Sequence, residues 1–172
     1  MKTKFPKLLN ALILSLFLIT NYGCEKGEMS DEQFYNIAAD NLMDCCDDIL
    51  MQNIVGQPTG SVNKTVNGPL GGTVIITGTG SYSESTGVTT LDFIFEMQDV
   101  PYAEVTFNGS ISFKGTYSSS YKNWSHFSDN FSIIGLIDNG KIERPINKIG
   151  AVSIHRTLDQ TSGSIFGYAV SW

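Results

Sequence analysis

Histidine is nearly missing from this chain. His126 and His155 are the only two among 172 residues, and their separation does not match the short spacings that gather imidazoles around zinc. His155 alternates with Ile154 in "SIHRT", which points its ring to solvent. Serine is plentiful, yet no Gly-x-Ser-x-Gly elbow and no pair of matched carboxylates occurs. "GTGSYS" at 78–83 follows a strand-like run but lacks the lysine and the helix that a phosphate-cradling loop requires. These absences point away from catalysis and from a bound metal; no cofactor is expected. A long apolar run is missing too. The longest spans Leu8 to Ile19 and is broken by Asn10 and Ser15, whereas a spanning helix needs ~20 apolar residues.

What that run does fit is a secretory leader. Lys2, Lys4 and Lys7 precede it, no acidic residue occurs before Cys24, and Thr20-Asn21-Tyr22-Gly23 follows as a polar exit. No Ala-x-Ala cleavage site is present; Gly23 stands directly before Cys24. "LFLITNYGC" resembles the signal of a bacterial lipoprotein, in which the peptide is cut before a cysteine already bearing a diacylglycerol. The resemblance covers residues 2–24. Asn21 and Tyr22 replace the aliphatic residues of the usual pattern, which makes this a relaxed lipobox. It implies a signal peptide over 1–23, lipid attachment at Cys24 and a tether over 24–29. Glu25, where aspartate would favour inner-membrane retention, implies the outer membrane. The membrane partner would then be reached through the acyl anchor, since two or more chains hold firmly where one does not. A cut elsewhere would leave Cys24 an idle thiol.

All three leader charges are lysines, so 8 of the 11 basic residues remain against 17 acidic ones, a net charge of −9. Phosphate backbones repel such a body, and nucleic acid is not an expected partner.

About 149 residues follow the leader, enough for one domain. Over 30–55 a helix is expected. Ser30 and Gln33 form a capping box, and Asp31 and Glu32 complement the dipole. Phe34, Ile37, Ala38, Leu42, Cys45, Ile49 and Leu50 make one apolar stripe. Cys45 should lie on the buried face, with Cys46 beside it partly exposed. From 56 to 172 the composition shifts to Gly, Ser, Thr, Val and aromatics, with frequent turn signals. The fold class that follows is mainly β with one N-terminal helix, as an antiparallel β-sandwich or small β-barrel. Nine strands are expected, near 61–66, 72–83, 88–98, 102–107, 110–118, 131–137, 141–147, 150–157 and 164–172. A loop at Thr86-Gly87 is expected to set Tyr82 opposite Leu91, Gly80 opposite Phe93 and Gly78 opposite Phe95, with the aromatics filling the glycine gaps. Asn108-Gly109 is expected to turn a second hairpin.

Residues 116–131, "TYSSSYKNWSHFSDNF", are unusual. Tyr117, Tyr121, Trp124, Phe127 and Phe131 recur at helical spacing within serines, as a stripe or as a long loop with one helical turn. They either cap the open end of the β core or, with Tyr117, Tyr121, Trp124, His126 and Phe127 as a rim, offer aromatic faces to a glycan or protein partner. The expected protein is therefore a lipid-anchored extracytoplasmic binding or surface-interaction domain. The alternatives are a β-barrel carrier of a small apolar ligand, motivated by Phe93, Phe95 and Met97 on one face, and a hydrolase joining His126 or His155 to a serine and a carboxylate. A membrane barrel ending on Phe166, Tyr168, Val170 and Trp172 is a further one.

Overall fold

The computed structural model describes residues 27–55, 59–118 and 121–172, with the Tyr121 side chain excepted. The expected signal peptide, Cys24 and the start of the tether lie outside these residues. Among the described residues one helix, α1 (Asp31–Asn53), precedes eight strands: β1 (Gly60–Asn67), β2 (Thr73–Ser83), β3 (Val88–Tyr102), β4 (Val105–Ser118), β5 (Tyr121–Asp138), β6 (Glu143–Thr157), β7 (Thr161–Ile165) and β8 (Tyr168–Ser171). The strands pair in chain order, every neighbour antiparallel, in a single sheet that does not close. The mainly β class with one N-terminal helix is what the sequence implies.

Ser30 caps α1 as expected: its Oγ accepts the Gln33 N–H at 3.1 Å. The reciprocal half of the box does not form, because the Gln33 side chain instead accepts from Asn139 Nδ2 at 3.4 Å. The helix buries a wider arc than one stripe. Phe34, Tyr35, Ala38, Ala39, Leu42, Met43, Cys45, Cys46, Ile49 and Leu50 are all covered. Cys46 is thus fully buried rather than partly exposed, since the curled sheet reaches both flanks of the helix. Burial pushes the Cys45 thiol up to about 12 and raises Cys46 well above its ordinary value, so both are inert packing groups.

Curling has a local cause. β3, β4 and β5 each carry a register shift, between Met97 and Val100, Asn108 and Ser112, and Ser128 and Phe131. An extra residue bends its strand and sharpens the twist. Asn108-Gly109 belongs to this series and makes no turn. Its Asn108 Oδ1 accepts the Asp99 N–H at 2.8 Å, and the chain runs straight on through β4. The turn falls at Ala103-Glu104 instead, with Tyr102 opposite Val105. The stretches expected as 102–107 and 110–118 are therefore one strand, as are 141–147 and 150–157. The last expected strand, by contrast, is two: Phe166 and Gly167 both have positive φ (53° and 85°) and fold β7 onto β8.

The β2–β3 hairpin has four residues, 84–87, between Ser83 and Val88. Tyr82 faces Thr89, Gly80 faces Leu91 and Gly78 faces Phe93, a register two residues from the expected one. A shift of two keeps every side chain on its own face, so the alternation of β3 survives: Leu91, Phe93, Phe95 and Met97 are buried. They share one core with Leu42, Met43 and Ile49 of α1 and with Phe107, Phe113 and Phe131. The inner face at Phe95 and Met97 is thus filled by the helix and is no hollow interior for a carrier.

α1 also ties the two edges of the sheet. Asn36 Nδ2 donates to the Ser171 carbonyl at 3.1 Å and Asn36 Oδ1 accepts the Ser171 N–H at 3.2 Å, occupying the β8 edge. Tyr35 stacks on Tyr168 at 3.8 Å. At the far end Lys64 of β1 donates to the Asn53 carbonyl.

Candidate functional site

Antiparallel register lines up inward positions into rows that cross the strands. One row runs Val62, Gly78, Phe93, Phe113, His126 and Ile154. The neighbouring row, two residues nearer the β2–β3 turn, runs Gly60, Gly80, Leu91, Gly115, Trp124 and Arg156. Three of its first four members have no side chain, and at Gly60 and Gly80 the missing volume leaves a cleft of about 440 Å³ between β1–β4 and the end of α1. Leu91 and Phe93 form its floor; Ile54, Val55 and Val62 wall it; Tyr82, Thr89 and Tyr117 stand at its mouth. Both floor residues are buried, while Tyr82 is 56 % exposed. A half-enclosed, mostly apolar hollow of this size is what small-molecule sites look like.

Behind the cleft the row turns polar. Trp124 packs against Phe113 (5.2 Å) and Tyr117 (6.3 Å), and Lys122 places its ammonium 5.0 Å above the indole. His126 is fully buried, edge-on to Phe113 at 4.8 Å. Burial, helped by the positive Arg156, drives its imidazole down to about 3, so the ring is neutral. Arg156 reaches Asp44 at 3.4 Å and Asp47 at 3.5 Å on α1. Burial pushes the Asp47 carboxyl up to about 6 against the pull of Arg156 and Lys122. The cluster clamps the helix to β5 and β6 and has no opening to the cleft floor among the residues that line it.

The five residues expected as an aromatic rim part company. Residues 121–138 are one strand, not a loop or a helical turn. Strand alternation sends Trp124 and His126 inward and Phe127, 49 % exposed, outward. Tyr121 opens β5 opposite Ser118. Of the four whose side chains are described, Tyr117 alone lines the cleft. The helical spacing misled because a period near 3.6 samples both faces of a strand. What the spacing missed is the glycine row. Gly80 in "TGTGS" at 77–81 was its visible member; Gly60 joins only once β1 is registered on β2.

Ser125 Oγ and His155 Nδ1 meet at 3.0 Å, on the outer face and remote from the cleft. Among the described residues no group of three or more His, Cys, Asp or Glu is placed to hold a metal ion, and no helix is long and apolar enough to cross a membrane. No protein-family model, curated protein or solved structure matches this chain.

Proposed function

We propose that this is an acyl-anchored binding protein of the bacterial cell envelope, held to the outer membrane through Cys24, which takes a small apolar ligand into the cleft between β1–β4 and α1. The observation that carries the reading is the cleft itself: an apolar hollow of about 440 Å³ beside the buried core. The tether supports it. Gly27 and Glu28 lie beside the β5–β6 turn, in a groove with Asp138, Lys141 and Glu143. The cleft opens at the opposite strand ends, near the β2–β3 turn. Only residues 25 and 26 separate Cys24 from Gly27, so an acyl group at Cys24 would hold the β5–β6 turn toward the bilayer and leave the cleft facing away. A glycan or protein partner at the aromatic rim is the weaker reading, because Trp124 and Phe127 face opposite sides of the sheet.

Two measurements test this. Intact mass of the native protein should show a chain beginning at an acylated Cys24, and a chain beginning at Glu25, with neither leader nor Cys24, should be free of membranes. N-phenyl-1-naphthylamine, an uncharged apolar fluorophore, should bind the unacylated chain that begins at Glu25 saturably at one site. A non-saturating, linear fluorescence rise would remove the ligand-binding half of the proposal.

A further inference from the structure

Resting on the reading of the cleft as a ligand site, the geometry points to its ligand class: an uncharged amphiphile with an apolar body and a hydroxyl, carbonyl or amide head, and no fatty-acid anion or cation. Among the described residues the lining contains no Lys, Arg, His, Asp or Glu. The two lysines on the strands that frame it are already engaged. Lys64 donates to the Asn53 carbonyl, and Lys114 pairs with Asp92 at 3.1 Å. A carboxylate or phosphate entering the cleft would shed water and find no counter-charge among the described lining residues, which disfavours it strongly. An ammonium would meet the same absence of acidic groups.

Neutral polar groups, by contrast, have partners at the mouth. Tyr82, Thr89 and Tyr117 bring hydroxyls that donate and accept. Thr59 Oγ1 accepts the Tyr82 backbone N–H at 3.1 Å, which leaves its own proton free to donate outward. Below them Leu91, Phe93 and Val62 offer only carbon. The polar end of a ligand therefore belongs at the rim and its apolar body on the floor. Size follows from the volume. At the ~30 Å³ that a small non-hydrogen unit such as water occupies in a liquid, the hollow holds roughly 15 heavy atoms.

Displacement of N-phenyl-1-naphthylamine from the chain that begins at Glu25 tests the class. The competitors are 1-decanol, decanoate and decyltrimethylammonium, all below their micellar concentrations at pH 8. Decanol should displace the probe at least about thirtyfold more effectively than either ion. Gly80→Leu, which fills the hollow, should abolish probe binding while far-UV circular dichroism stays that of the parent. Leu91→Ala, which deepens the floor, should shift the preferred alcohol from decanol to dodecanol. Equal displacement by decanoate or by the ammonium overturns the ligand class while leaving the cleft as a site. Unchanged probe binding in a folded Gly80→Leu protein overturns both.

Discussion

Two adjacent rows of the same sheet, two residues apart along every strand, behave as different materials. The Val62-Gly78-Phe93-Phe113-His126-Ile154 row carries buried side chains from Phe93 to Ile154 and is sealed beyond Phe93. The Gly60-Gly80-Leu91-Gly115-Trp124-Arg156 row is hollow at one end and ionic at the other. Backbone geometry is common to both. The difference is side-chain volume, and it shows that a cleft can be made by omission as readily as by displacing an element.

Deleting bulk from the sealed row should have the largest effect. Phe113 touches Phe95, Trp124 and His126, so Phe113→Ala should lower stability by about 3–5 kcal/mol in urea denaturation. A loss below 1 kcal/mol would mean that this row is not the packed one.

Next comes a pH test at the boundary between the rows. The folded His126 pKa, about 3, lies below its ordinary 6.5, so the unfolded chain binds more protons and stability falls as pH drops from 6.5 toward 3. The folded Asp47 pKa, about 6, lies above its ordinary 3.8, so the folded chain binds more protons and this group gains stability as pH drops from 6 toward 4. The two oppose one another. Relative to the parent, His126→Phe should gain roughly 3 kcal/mol between pH 7 and pH 4, and Asp47→Asn should lose a comparable or smaller amount. Urea midpoints at the two pH values read this out; parallel pH dependence in all three proteins would contradict it.

The smallest effects separate two glycines of the hollow row. A Cβ on Gly115 would stand 2.2 Å from the Asn123 carbonyl oxygen, with φ at 158°, whereas one on Gly80 would meet Phe93 at 3.4 Å, an ordinary contact. Gly115→Ala should therefore destabilise by about 2 kcal/mol, and Gly80→Ala should stay within about 1 kcal/mol of the parent, by thermal denaturation. Equal losses would mean that the Gly80 position is not open.

Much of the fold is legible in the residues. Ser30 announces the helix, and the alternation in Leu91, Phe93, Phe95 and Met97 announces a half-buried strand. Asp138-Asn139-Gly140 reads as a turn and forms one, with Asn139 Oδ1 accepting from Lys141 and Ile142. Asn108-Gly109 reads equally well as a turn and is a bulge, because its neighbours on β3 and β5 continue past it and keep it paired. Phe166-Gly167 reads as mid-strand and is a turn. Tyr117, Trp124 and Phe127 look like one stripe and occupy three environments. In each case the local signal was sound, and the deciding partner lay far along the chain.

Sequence by itself determined the charge of this body, its helix, and which residues of each strand share a face, because composition and periodicity are properties of neighbours. Tertiary structure alone decided which glycines stand side by side. That depends on how four strands are registered against each other, and register is set by bulges and turns whose energies are too close to rank from a single strand. The cleft exists only at that level.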